Sequence, residues 1–157
     1  MRPPSSSLER AANHSHSTEN YLLTSDILTS GVIHCPLLRS LSLKYLSLLS
    51  SLETAAFFST WSNTGLTHLN LHRCIHLEND ALFAILEQSG HSLRTLDLHS
   101  LDEIDGEGLA VLASKAVRVE SLDVSFVRAV DNAAIVDILK GLERLQVLFI
   151  HGCVFLP

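Results

Sequence analysis

Between residues 38 and 153 the apolar positions fall into one frame that returns five times. Its clearest copy is Leu66–Cys74, Leu-Thr-His-Leu-Asn-Leu-His-Arg-Cys, apolar at the first, fourth, sixth and ninth places. The copies start at Leu38, Leu66, Leu93, Val119 and Leu145, in steps of 28, 27, 26 and 26 residues. Their fourth and sixth places are Leu41/Leu43, Leu69/Leu71, Leu96/Leu98, Leu122/Val124 and Leu148/Ile150, aliphatic without exception. The ninth place is Leu46, Cys74, Leu101, Val127 and Cys153, a small or medium apolar group that closes a turn. Alternation between places three and seven predicts a short strand with its even places buried and places three, five and seven outward.

The segments between the strands carry helical spacing. Leu46 to Trp61 is predicted as the first complete helix, with Leu49, Phe57 and Phe58 inward, and Asn63-Thr64-Gly65 as the turn that follows. In the next three segments Leu77, Ile104 and Val130 share a slot, as do Leu82, Leu109 and Ile135, and Ile85, Leu112 and Ile138. Directly after the first slot stand Glu78, Asp105 and Asp131, acids placed to cap a helix start for about 1 kcal/mol each. Upstream, Leu22, Leu23, Ile27, Leu28, Val32 and Ile33 predict an amphipathic helix over Tyr21–Cys35, the half-repeat that covers the first strand. Residues 1–18, rich in Ser, Asn and His, are predicted as a disordered tail, and residues 19–157 as a single repeat domain. Strand plus helix at this period is a leucine-rich repeat. The expected fold is a right-handed, curved α/β solenoid of about five repeats, parallel strands on the concave face and helices on the convex one. Its apolar end, Val154-Phe155-Leu156-Pro157 in mid-repeat, is that expected of a truncated solenoid or of a surface another chain covers.

Composition narrows the function classes. The 157 residues are 46% hydrophobic, enough for one sizeable core, and carry a net charge of −6. Lys and Arg are scattered, so the basic patch an autonomous nucleic-acid binder needs is missing. No stretch approaches the roughly 20 apolar residues of a membrane span. Cys74 and Cys153 hold one slot three strands apart, roughly 14 Å at about 4.8 Å per strand, too far to bridge. All three cysteines, Cys35 included, read as reduced thiols of an intracellular protein. Phosphate-binding Gly-rich loops, a G-x-S-x-G elbow and an activated Cys are lacking, so no enzyme is expected and no cofactor is implied.

Candidate chemistry lies on the outward places of the strands. Place three reads Ser40, His68, Thr95, Ser121, Val147; place five Ser42, Asn70, Asp97, Asp123, Phe149; place seven Lys44, His72, His99, Ser125, His151. Tyr45, Arg73 and Phe126 flank the last column at place eight. His72 and His99 are predicted neighbours, as are Asp97 and Asp123, each pair roughly 5 Å apart at Cβ. The face is read as a protein-binding patch of Lys44, Tyr45, His68, Asn70, His72, Arg73, Asp97, His99, Asp123, Ser125, Phe126 and His151. The Asp and His pairs on it are expected to be dispensable to the fold. A metal site is not expected, since the ligands lack tight local spacing, and a solvated polar face is the plainer alternative.

The 26-residue step, the Cys at place nine and the segment His34 to Leu38 (His-Cys-Pro-Leu-Leu) resemble the cysteine-containing leucine-rich repeats of F-box proteins. More narrowly, Leu66–Gly90, Leu96–Gly108 and Leu122–Ile135 resemble the fungal Rad-seven family of nucleotide-excision-repair proteins, a likeness running over about residues 32–153. That resemblance implies a nuclear, non-catalytic scaffold acting with a Swi/Snf-type ATPase in damage recognition and with elongin C in a cullin-based ubiquitin ligase. The broader resemblance implies instead the substrate-receptor repeats of an F-box ligase, bound to its adaptor and a ubiquitylation substrate.

Overall fold

The structure, a computed structural model, describes residues 35–63 and 65–153. The tail expected over residues 1–18, the helix expected over Tyr21–Cys35 (its last residue apart) and residues 154–157 lie outside that range. Strands and helices alternate: β1 (Ser40–Ser42), α1 (Ser51–Thr60), β2 (His68–Asn70), α2 (Asn79–Ser89), β3 (Thr95–Asp97), α3 (Gly106–Lys115), β4 (Ser121–Asp123), α4 (Asn132–Gly141) and β5 (Val147–Phe149). The strands form one parallel sheet in chain order. Register follows the sequence frame: Leu41, Leu69, Leu96, Leu122 and Leu148 are successive partners. The chain is an α/β leucine-rich-repeat solenoid.

Each strand leaves the sheet through two consecutive tight turns closed on the apolar places. In the second repeat the Cys74 N–H donates to the Leu71 carbonyl and the Leu77 N–H to the Cys74 carbonyl, both at 3.0 Å. The same pairs recur at Leu46/Leu49, Leu101/Ile104 and Val127/Val130. These turns drive the sixth, ninth and twelfth places inward, and all eight of these turn residues are buried. They also displace the first helix. α1 begins at Ser51, not at Leu46, because residues 46–49 are already committed to turns and Ser50–Glu53 forms a capping box. In that box the Ser50 hydroxyl accepts the Glu53 N–H at 3.2 Å and the Glu53 carboxylate accepts the Ser50 N–H at 3.2 Å.

Two of the three expected acid caps form. Asp105 Oδ1 accepts from the Glu107 and Gly108 N–H groups, and Asp131 Oδ1 from the Ala134 N–H. Glu78 occupies the same place without a side-chain cap, since its extra methylene carries the carboxylate past the first-turn N–H groups. Its own N–H is taken by the Ser51 hydroxyl of the preceding repeat at 3.1 Å.

The core runs the length of the stack between sheet and helices. Leu66, Leu93, Phe58, Ile85, Leu112, Val119, Leu122 and Ile138 have no exposed surface. Each such side chain contributes about 1.5–3 kcal/mol. Phe57, Phe58 and Trp61 pack as a cluster, with Phe57 and Trp61 stacked at 5.2 Å. Burial loosens in the last repeat, where Leu145, Leu148 and Ile150 are half-buried against that core. One buried polar residue ties the first two repeats together. Asn63 donates to the Leu38 carbonyl at 2.7 Å and the Cys35 carbonyl at 3.2 Å, and accepts the Gly65 N–H at 2.7 Å. This is how the 28-residue first step is accommodated: the longer connection hangs on a side chain in place of a backbone turn.

Leu96→Asp, which buries an unpaired charge in mid-sheet, should remove several kcal/mol and abolish the cooperative melt followed by circular dichroism. Asn63→Ala should cost about 2–4 kcal/mol in urea denaturation, because it strands two carbonyls and one N–H inside. An unchanged midpoint for either variant contradicts the register or the tie.

Candidate protein-binding face

The concave face is organised by its eighth place. Tyr45, Arg73, Ser100 and Phe126 have φ of 65°, 57°, 57° and 58°, the left-handed region that side chains other than glycine avoid. The fifth copy has Gly152 there, at φ 65°. At each of the first four, the eighth N–H reaches the seventh-place carbonyl of the next repeat: Tyr45 to His72 at 2.8 Å, Arg73 to His99 at 2.9 Å, Ser100 to Ser125 at 2.9 Å and Phe126 to His151 at 2.7 Å. The left-handed turn thus extends the ladder beyond each three-residue strand, and the bonds so gained offset a strain of about 1 kcal/mol or more per residue.

That turn stands the seventh- and eighth-place side chains in a row. Tyr45 meets His72 edge-on at 5.2 Å, His72 stacks on His99 at 4.1 Å with 25° between planes, and His99 tilts against Phe126 at 5.1 Å. The Phe126 ring in turn lies over Gly152, so close that a Cβ there would sit 2.4 Å from it. The row runs across four repeats.

The fifth place serves the backbone first. Asn70 Oδ1 accepts the His72 N–H, Asp97 Oδ1 the His99 N–H and Asp123 Oδ1 the Ser125 N–H, at 2.8–3.0 Å. Each closes a side-chain-to-backbone turn over a donor the sheet leaves unmatched. Asn70 also donates to Asp97 Oδ2 at 2.9 Å. Asp97 and Asp123, expected to be dispensable to the fold, thus each hold an N–H group of the strand exit. Phe149 has no such oxygen, and the His151 N–H is taken instead by the Ser125 hydroxyl at 3.0 Å. Ser125 is fully buried in that role and does not present itself on the face.

The remaining expected residues are accessible to different degrees. Tyr45, His68, Arg73, Phe126 and His151 are exposed, while Lys44, Asn70, His72, Asp97, His99 and Asp123 are half-buried. Below the aromatic row a groove of about 350 Å³ crosses all five strands, lined by Ser40, His68, Asn70, Asp97, Asp123 and Phe149 among others. His68 and the carboxylate pair are brought into it; Lys44, Tyr45 and Arg73 are not among its lining residues. Phe149, outside the residues expected to form the patch, lines this groove as well. Its signal is an aromatic at a place where every other copy is Ser, Asn or Asp.

Electrostatics favour neutral imidazole at His72. Burial lowers its pKa first and the His99 ring second, against the pull of Asp97, whose Oδ2 lies 3.9 Å away, and of Asp123. Burial pushes the Cys74 thiol up to about 11, and Cys74 Sγ donates to the Leu43 carbonyl at 2.9 Å. Cys153 is shifted upward for the same reason. Neither thiol is disposed to form the thiolate a nucleophile requires. Among the described residues no group of three or more His, Cys, Asp or Glu side chains is placed to hold a metal ion, and no helix is long and apolar enough to cross a membrane.

This geometry can be set beside known proteins. The chain is 32% identical over 133 residues to the DNA repair protein rhp7 of Schizosaccharomyces pombe, covering 83% of this chain and 24% of that protein. The chain is a homologue of the fungal Rad7/Rhp7 DNA repair proteins. It is also 31% identical over 119 residues to RAD7 of Saccharomyces cerevisiae, covering 75% of this chain and 20% of the relative. The fold superimposes on a chain of the crystal structure of the yeast Rad7 and Elc1 complex with a TM-score of 0.66 and 28% identity, over 74% of this chain and 29% of that one. No protein-family model matches. The chain thus spans a quarter or less of the length of the curated relatives it matches.

Asp97→Asn should leave stability within about 0.5 kcal/mol, as Asn70 performs the same turn, whereas Asp97→Ala should cost about 1–2 kcal/mol. Urea midpoints of the two variants separate the turn from the charge. His72 binds its proton less readily folded than unfolded, so its stabilising contribution is complete above its ordinary value of about 6.5 and is lost as pH falls through the lower folded value. Acidification from about pH 7.5 to about pH 5 should therefore lower the melting temperature of the natural chain more than that of His72→Asn. Equal losses in the two proteins contradict the assignment.

Proposed function

We propose that this chain is a non-enzymatic interaction subunit of a nuclear DNA-repair assembly. It acts as a scaffold in damage recognition during global-genome nucleotide excision repair, and works through a cullin-based ubiquitin ligase. The observation that carries this reading is the 32% identity to rhp7 over 83% of the chain. The likeness to a chain of the Rad7 and Elc1 complex adds an elongin C-type partner, Elc1 itself being the nearest candidate. A Swi/Snf-type ATPase and a cullin complete the assembly in this reading. Binding takes place on exposed side chains of the solenoid, beside strand exits tied by side-chain-to-backbone hydrogen bonds at Asn70, Asp97 and Asp123. Raised thiol pKa values at Cys74 and Cys153 agree with a role free of covalent catalysis.

Affinity purification of the tagged chain from its own cells, with mass spectrometry of the co-eluting proteins, should recover Elc1 and an ATPase of the Swi/Snf type. Cells lacking the chain should be hypersensitive to ultraviolet light. Recovery of an F-box adaptor in place of Elc1, together with normal ultraviolet survival, rejects this function for that of a substrate receptor.

A further inference from the structure

We propose that the concave face docks a basic, extended segment of a partner protein, its Lys or Arg side chains over Asp97 and Asp123 and its apolar side chains on the ledge of Tyr45, Phe126 and Phe149. This deepens the reading of the chain as an interaction subunit and rests on it.

The ledge is apolar surface left in the open. Tyr45, Phe126 and Phe149 are 44%, 50% and 42% exposed, and Val147 beside them is 43% exposed. Two of these aromatics occupy left-handed positions that a glycine takes without strain, as Gly152 does in the fifth copy. The backbone bond at that place is made whatever the side chain, and beyond the faces turned to His72, His99 and Gly152 the rings leave apolar surface open.

Charge identifies the occupant. Asp97 and Asp123 are direct register partners on β3 and β4, and like charges so placed repel. No Lys or Arg lines the groove that they floor. Arg94 and Arg128 are engaged with Glu120 and Asp102, and Lys44 and Arg73 stand on the same face outside the groove's lining. The groups facing the carboxylates are Asn70, the His72 ring and Phe149. With a net charge of −6 on the chain as well, a phosphate backbone or an acidic peptide meets repulsion here, and a cationic side chain meets two carboxylates beside aromatic faces. The dimensions suit an extended strand. Four strand spacings of about 4.8 Å give about 19 Å, the reach of about six extended residues.

The repeats supply variants that preserve the fold. Asp97→Asn with Asp123→Asn keeps both backbone-capping oxygens, as Asn70 demonstrates, and removes both charges. Phe126→Gly removes a ring and relaxes a left-handed residue, as Gly152 demonstrates. Fluorescence anisotropy is measured with a labelled peptide of alternating arginine and leucine, its glutamate–leucine counterpart and an oligothymidylate. Melting curves verify that each variant is folded. The natural chain should bind the arginine peptide alone, more weakly as salt rises. The double Asn variant should bind it about tenfold or more weakly and lose most of the salt dependence, and Phe126→Gly should weaken it while keeping that dependence. Undiminished binding by the double variant, absence of binding by the natural chain, or preference for the oligothymidylate overturns the proposal. Capture of Elc1 by the same proteins separates the two readings. Elc1 capture without peptide binding by the natural chain defeats the docking proposal alone, and absent Elc1 capture defeats the function on which it rests.

Discussion

The left-handed eighth residue is the constraint on which the rest of the molecule depends. A strand of three residues offers few ladder bonds, and a parallel sheet built from such strands needs more. The chain obtains them by turning left-handed at Tyr45, Arg73, Ser100 and Phe126, whose N–H groups bond to the next repeat at 2.7–2.9 Å. The same turn starts the chain toward the convex side, where two further turns bury places nine and twelve before each helix begins. Curvature, core and helix entry thus follow from one backbone conformation repeated along the stack.

That device leaves the seventh N–H without a ladder partner, and the polar residues of the face answer to it. Asn70, Asp97 and Asp123 each cover one such donor, and Ser125 covers the fourth from the neighbouring strand. What remains available to a partner is the part of each side chain the backbone does not use. For the carboxylates that is negative charge; for Tyr45, Phe126 and Phe149 it is nearly half of each residue's surface. Stacking of His72 on His99 then fills the space between the two aromatic ends, and burial, with the His99 ring second, lowers the pKa of His72.

Relationship to the Rad7/Rhp7 proteins fits this economy. The homology covers most of this chain but a quarter or less of each relative, so what is shared is a run of repeats. Within such a run the buried frame is interchangeable between copies, and individuality lies in the outward places. Phe149 at a place elsewhere occupied by Ser, Asn or Asp is one such departure, and Asn63, which spans the longer first step, is another.

Repeat length, strand register, the inward side of each helix and the likeness to the Rad7/Rhp7 proteins were all legible in the sequence. Each depends on apolar side chains at fixed intervals, and burying them leaves one solution. Two of three helix caps were legible as well, through the reach of an Asp side chain. The structure alone decided that α1 starts at Ser51, that Glu78 does not cap and that Asn63 is a buried tie. It also decided that Ser125 is buried, that Asp97 and Asp123 hold backbone N–H groups and that four histidine and aromatic rings form one row. These outcomes turn on hydrogen bonds and ring contacts between neighbouring repeats, residues about 26 positions apart, and no local pattern records which donor will be left over when one strand is laid beside the next.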